Sequence, residues 1–132
     1  KQHRTKTTNR YFNYIYVRMG AHTLIHKRTE DDIWKNLFEL PLVETEKDLS
    51  EEEFLACPQF HALFAEGEVR MVRTLLRGVK HVLSHRVIYT NFYEVTLPDN
   101  SSSFSSYQRV AVEDLGRYAV PRLIHAFLEK YV

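Results

Sequence analysis

The stretch VRMVRTLLRGVKHVLSHRVIYTNFYEVT, residues 69–96, decides the fold. It is dense in β-formers, and only Gly78 and the polar Ser84-His85-Arg86 interrupt it, so it reads as two or three strands. Val87, Tyr89, Asn91, Tyr93 and Val95 alternate with Ile88, Thr90, Phe92, Glu94 and Thr96. Apolar residues on both faces predict a central strand covered from both sides.

Working outward, Tyr11 to Arg18 is aromatic and β-branched, and Met19-Gly20-Ala21 offers a turn into a second strand from His22 to Arg28, so the pair reads as a hairpin. Ile33, Trp34, Leu37, Phe38 and Leu40 form a short apolar stretch, part of it strand, closed by Pro41. Ser50-Glu51-Glu52-Glu53 is a capping-box pattern that starts a helix at Glu51. Pro58 ends or restarts that helix, and Phe60, Leu63 and Phe64 continue at helical spacing before Gly67. Pro98 to Ser103 is loop chemistry, and Tyr107 to Val112 returns as a strand. Pro121 to Tyr131 is an amphipathic helix with Leu123, Ile124, Phe127 and Leu128 on one stripe.

The 132 residues suit one domain, read here as a basic arm over residues 1–9 and a folded unit over 10–132. No apolar run of about 18 residues is present to span a bilayer, and no secretory signal opens the chain, so it is expected to be soluble, unexported and without a membrane partner. A start at Lys1 fits an excised fragment. Cys57 is the single cysteine, which excludes an internal disulfide, a four-cysteine iron–sulfur cluster and a cysteine-rich zinc site, and suits a reducing compartment. The net charge of +1 hides an asymmetry: Lys1 to Arg28 carries seven bases and no acid, whereas Thr29 to Leu55 carries ten acids against Lys35 and Lys47. One face suited to phosphate and one unsuited to it follow, as does an ordinary mixed surface with a basic linker.

Four segments in order resemble the C-terminal domain of the A/G-specific adenine DNA glycosylases, the MutY family, from about Arg10 to Tyr131. They are His26-Lys27-Arg28 leading to the stretch Ile33 to Pro41; Lys80-His81-Val82-Leu83-Ser84-His85-Arg86; Asp114-Leu115; and Ala119-Val120-Pro121 before the last helix. In that family an aromatic-Ser-His triplet contacts the lesion; here Leu83 stands where the family usually has Phe. The resemblance implies an α+β, Nudix-like fold, a mixed β-sheet flanked by helices, without a functional Nudix box. It implies a function in base excision repair: recognition of 8-oxoguanine opposite adenine in double-stranded DNA. The partner would be an N-terminal catalytic domain that carries the 4Fe-4S cluster, and the setting a bacterial cytoplasm, on the nucleoid. The implied contacts are Leu83, Ser84, His85, Arg86 and Lys80, with Arg10 and Arg28 against phosphates. On this reading the chain holds no cofactor or metal and catalyses nothing by itself.

The residues leave other functions open. A Nudix diphosphatase needs a glycine-flanked helix with Arg-Glu and Glu-Glu pairs to hold Mg²⁺. Glu51-Glu52-Glu53 is the nearest cluster, and its place at a helix start reads as capping. His81 and His85 lie in a β-rich stretch, where residues four apart sit about 13 Å from each other, too far to share an ion. Ser84 and His85, adjacent on an extended chain, point to opposite sides and form no triad by themselves. They suit hydrogen bonding to a base edge and a phosphate, or a plain polar turn. Trp34 suits base stacking, or a core or hinge position. The alternatives are thus a Nudix-type hydrolase of nucleoside diphosphate derivatives, and a protein-interaction module using Glu44 to Glu53 or Ser101 to Ser106.

Overall fold

A computed structural model describes residues 7–132. β1 (Thr8–Arg18), β2 (His22–Lys27), β3 (Phe38–Glu39) and β4 (Leu42–Thr45) precede two short helices, α1 (Glu51–Ala56) and α2 (Pro58–His61). β5 (Met71–Val82), β6 (Arg86–Thr96) and β7 (Gln108–Ala111) follow, then a 3₁₀ turn over Val112–Arg117 and α3 (Arg122–Tyr131). The larger sheet has the order β4-β1-β6-β5 and is mixed: β1 runs parallel to β6 and antiparallel to β4, and β5 runs antiparallel to β6. A smaller antiparallel sheet has the order β3-β2-β7.

β6 is central, as its two apolar faces require. On one side Phe12, Tyr14, Tyr16, Ile88 and Phe92 meet Ile124 and Phe127 of α3, with the Phe92 and Phe127 rings parallel at 4.2 Å. On the other, Ile15, Val17, Tyr93 and Val95 meet Phe54 and Phe60 of α1 and α2, and Phe54 stacks on Tyr93 at 4.7 Å. α1 starts where the capping box places it: Glu53 N–H donates to Ser50 Oγ at 3.1 Å, and Ser50 N–H donates to Glu53 Oε1 at 2.9 Å. The fold is α+β, a mixed sheet flanked by helices.

Two expectations change, the hairpin and the extent of the arm. β1 and β2 are not a hairpin beyond the Met19–His22 bridge, because they diverge into different sheets. Residues 12–17 of β1 are buried throughout, and an eleven-residue parallel register with β6, Thr8↔Arg86 to Arg18↔Thr96, outcompetes local pairing with β2. Residues 69–96 hold two strands, one of the two numbers expected, because β5 continues through Gly78, at φ 69°, where the register shifts between Leu76 and Val79. Asn91 Oδ1 accepts the Gly78 N–H at 2.8 Å. Part of the stretch 33–40 is strand as expected, namely Phe38–Glu39, while Leu42–Thr45, beyond Pro41, is a strand the sequence did not announce. β1 also starts at Thr8, inside the expected arm; residues 1–6 of that arm lie outside the described residues.

Candidate nucleic-acid interface

Leu83 N–H donates to the Arg86 carbonyl at 2.8 Å, so Ser84 and His85 form a two-residue tip between β5 and β6. Thr8 N–H donates to the His85 carbonyl at 3.0 Å and pins the tip to the start of β1. Ser84 and His85 are exposed, as is Lys80 on β5, while Leu83 is half-buried against the α3-side core. The structure thus gathers Lys80, Ser84, His85 and Arg86 at one end of the sheet and gives Leu83 a packing position. Arg86 Nη1 also lies 3.5 Å from Asp32.

Arg10 and Arg28 are placed differently. Arg10 forms two hydrogen bonds to Asp32, at 2.8 and 2.9 Å, and two to Glu44, both at 2.7 Å. Arg28 donates to Glu39 at 3.0 and 3.1 Å, to Asp32 at 2.9 Å and to the Ile33 carbonyl at 3.0 Å. Tyr14 Oη donates to Glu39 at 2.7 Å, and His26 Nε2 lies 2.9 Å from the same carboxylate. Both guanidiniums are spent on carboxylates that a sequence cannot pair with them, since the partners stand up to 34 positions away. The Arg10 hydrogen bonds hold Asp32 down at about 2, and Glu44 and Asp32 raise Arg10 above its ordinary value. Burial, reinforced by the Glu39 charge, pushes the Tyr14 phenol well up.

Trp34 packs rather than projects. Its ring meets Phe12 edge-on at 6.0 Å and His81 at 5.9 Å, and its backbone takes a left-handed φ of 57°. That conformation costs on the order of 1–2 kcal/mol for a residue other than glycine. The loop closes through Asn36 N–H to the Arg28 carbonyl at 2.7 Å and Arg28 N–H to the Leu37 carbonyl at 2.9 Å.

The donor set does not fit a divalent cation. Among the described residues no three His, Cys, Asp or Glu side chains gather where one ion could bind. Asp32, Glu39 and Glu44 instead direct their oxygens at Arg10 and Arg28.

A mixed sheet between helices, with a long hairpin beside the first strand, defines the class. The family model described as NUDIX domain matches residues 13–130, and the chain belongs to the NUDIX family. No curated protein matches it. Among solved structures, it is similar to the C-terminal domain of mouse MUTYH, determined in complex with human PCNA. That likeness has a TM-score of 0.66 and 15% identity over 92% of this chain and 86% of the other. It is also similar to the MutT protein of Methanosarcina mazei Go1, with a TM-score of 0.61 and 17% identity over 94% and 93% of the two chains. A Nudix hydrolase of M. smegmatis, RenU, gives a TM-score of 0.58 and 8% identity over 95% and 84%. At these identities the likeness is one of fold. The family match overturns the expectation of a chain that catalyses nothing by itself.

Proposed function

We propose that this NUDIX domain reads oxidised guanine in double-stranded DNA, 8-oxoguanine opposite adenine, through the β5–β6 tip, for an adenine glycosylase domain that removes the paired base. The observation that carries this reading is the exposed Ser84-His85 tip, pinned by Thr8 and flanked by Lys80 and Arg86. Oxidation turns guanine N7 from acceptor to donor and places an acceptor at C8, so a reader needs an acceptor and a donor side by side. A serine hydroxyl supplies either, and an imidazole supplies a donor to the lesion or a neighbouring phosphate. The ordered resemblance to the MutY C-terminal domain supports the same reading. The test is binding of the chain to matched duplexes holding 8-oxoguanine:A or G:A. Ser84→Ala with His85→Ala should cost about 1–3 kcal/mol of the preference, the range for one good base-edge contact. A preference intact in that variant rejects the tip as the reader.

A second reading, hydrolysis of a nucleoside diphosphate derivative, is favoured by the family match and by the similarity to MutT and RenU folds. Phosphate or pyrophosphate released from nucleoside di- and triphosphates by the purified chain, with and without Mg²⁺, decides it.

A further inference from the structure

Among the described residues, the α1/α2 side of the larger sheet is only half covered. α1 has six residues and α2 four, and they shield the end that holds Ile15, Val17, Tyr93 and Val95. Toward the hairpin tip the registers place Thr45, Tyr11, Tyr89 and Lys80 in one row across β4, β1, β6 and β5. Asn9, Val87 and Val82 form the next row. Tyr11, Tyr89, Val87 and Val82 belong to neither core cluster, and Val82 is 66% exposed.

The Tyr11 and Tyr89 rings stack at 5.6 Å with 16° between their planes, both half-buried. Buried amides fix the floor beside them: Asn91 Nδ2 donates to Asn13 Oδ1 at 3.1 Å, and Asn13 Nδ2 to the Val43 carbonyl at 3.1 Å. Neither row holds a carboxylate. The neighbouring Asp48 accepts from Asn91 at 3.3 Å and lies 3.7 Å from Arg77. Lys80, exposed and paired with Tyr89, supplies a cation at one end of the row.

We propose that this uncovered half-sheet, centred on the stacked Tyr11–Tyr89 pair, is a platform for unpaired bases of single-stranded DNA. Aromatic rings on adjacent strands with a neighbouring cation are the chemistry that holds bases without regard to sequence, because every base has a π-face. Duplex DNA keeps its bases stacked inward and offers such a platform little. An apolar helix would have to lay its hydrophobic face on rows edged by the polar Lys80, Asn9 and Thr45. The inference rests on reading the chain as a DNA-binding module but, Lys80 apart, uses residues distinct from the tip. A strand opened beside a lesion would then find a place on the same end of the sheet that carries Ser84 and His85.

The experiment titrates a labelled 12-nucleotide oligo(dT), and an abasic strand with the same number of phosphates, with the chain at low salt. Oligo(dT) should bind more tightly by about fivefold to a hundredfold, the range for stacking one base. Tyr11→Leu with Tyr89→Leu should abolish that difference and leave abasic binding unchanged. Tyr11→Phe with Tyr89→Phe should keep it, and Ser84→Ala with His85→Ala should leave it intact even if the tip reads lesions. Photocrosslinking of a 5-iodouracil strand to the unaltered chain should map to Tyr11 or Tyr89, which keeps the test valid if the leucine variant unfolds. Equal binding of the two strands, a base-dependent difference that survives in a folded leucine variant, or crosslinks only elsewhere would overturn the proposal.

Discussion

Replacing Glu39 with Gln should be among the costliest single changes in this domain. Glu39 is 2% exposed, and its carboxylate takes two contacts from Arg28 Nη1, one from Tyr14 Oη and a 2.9 Å approach from His26. Removing one partner of a buried ion pair leaves the other charge without compensation and costs about 3–5 kcal/mol. Gln keeps the volume and an amide oxygen for Tyr14, and Asp32 still holds Arg28 at 2.9 Å, so the expected loss lies near the lower end, about 3 kcal/mol. At about 4 °C per kcal/mol for a domain of this size, the melting midpoint should fall by about 12 °C. Urea unfolding followed by Trp34, the single tryptophan, reads the change directly. A double-mutant cycle with Tyr14→Phe should show coupling above about 0.5 kcal/mol, since the two side chains share a hydrogen bond. A loss below about 1 kcal/mol, or no coupling, would refute the view that this carboxylate anchors Arg28 and Tyr14.

Asp32 gives a pH dependence: its folded pKa, lowered to about 2, lies below the ordinary 3.8, so its contribution is complete above about pH 5 and is lost as pH falls through about 2. After solvent screening it should amount to about 1 kcal/mol, and Asp32→Asn should flatten the acid limb of the stability curve. The salt dependence of duplex binding separates two kinds of arginine and lysine. Lys80→Gln should reduce the slope by about 0.9 if it meets a phosphate, whereas Arg10→Gln should lower stability and leave the slope alone, because its donors are already engaged. Ser50→Ala should cost about 1 kcal/mol in chemical denaturation through loss of the capping box, with no effect on DNA binding.

Local chemistry was legible along the chain. The Ser50–Glu53 box set the start of α1, the stripe of Leu123, Ile124 and Phe127 set the buried side of α3, and the two apolar faces of residues 87–96 marked β6 as central. These readings succeed because caps and hydrophobic periods act over a few residues and need no knowledge of distant partners. Tertiary structure decided what depends on contacts across the chain. It paired β1 with β6 rather than with its neighbour β2, and it set Arg10 and Arg28 against Asp32, Glu39 and Glu44. It seated Leu83 and Trp34 in packing, and it stacked Tyr11 on Tyr89 across 78 positions of sequence. A cation in a sequence carries no sign of whether its charge will be met by water, phosphate or carboxylate. Strand register settles that by setting which side chains share a row, and in this domain the parallel register of β1 on β6 buries both faces of residues 12–17 and 90–95.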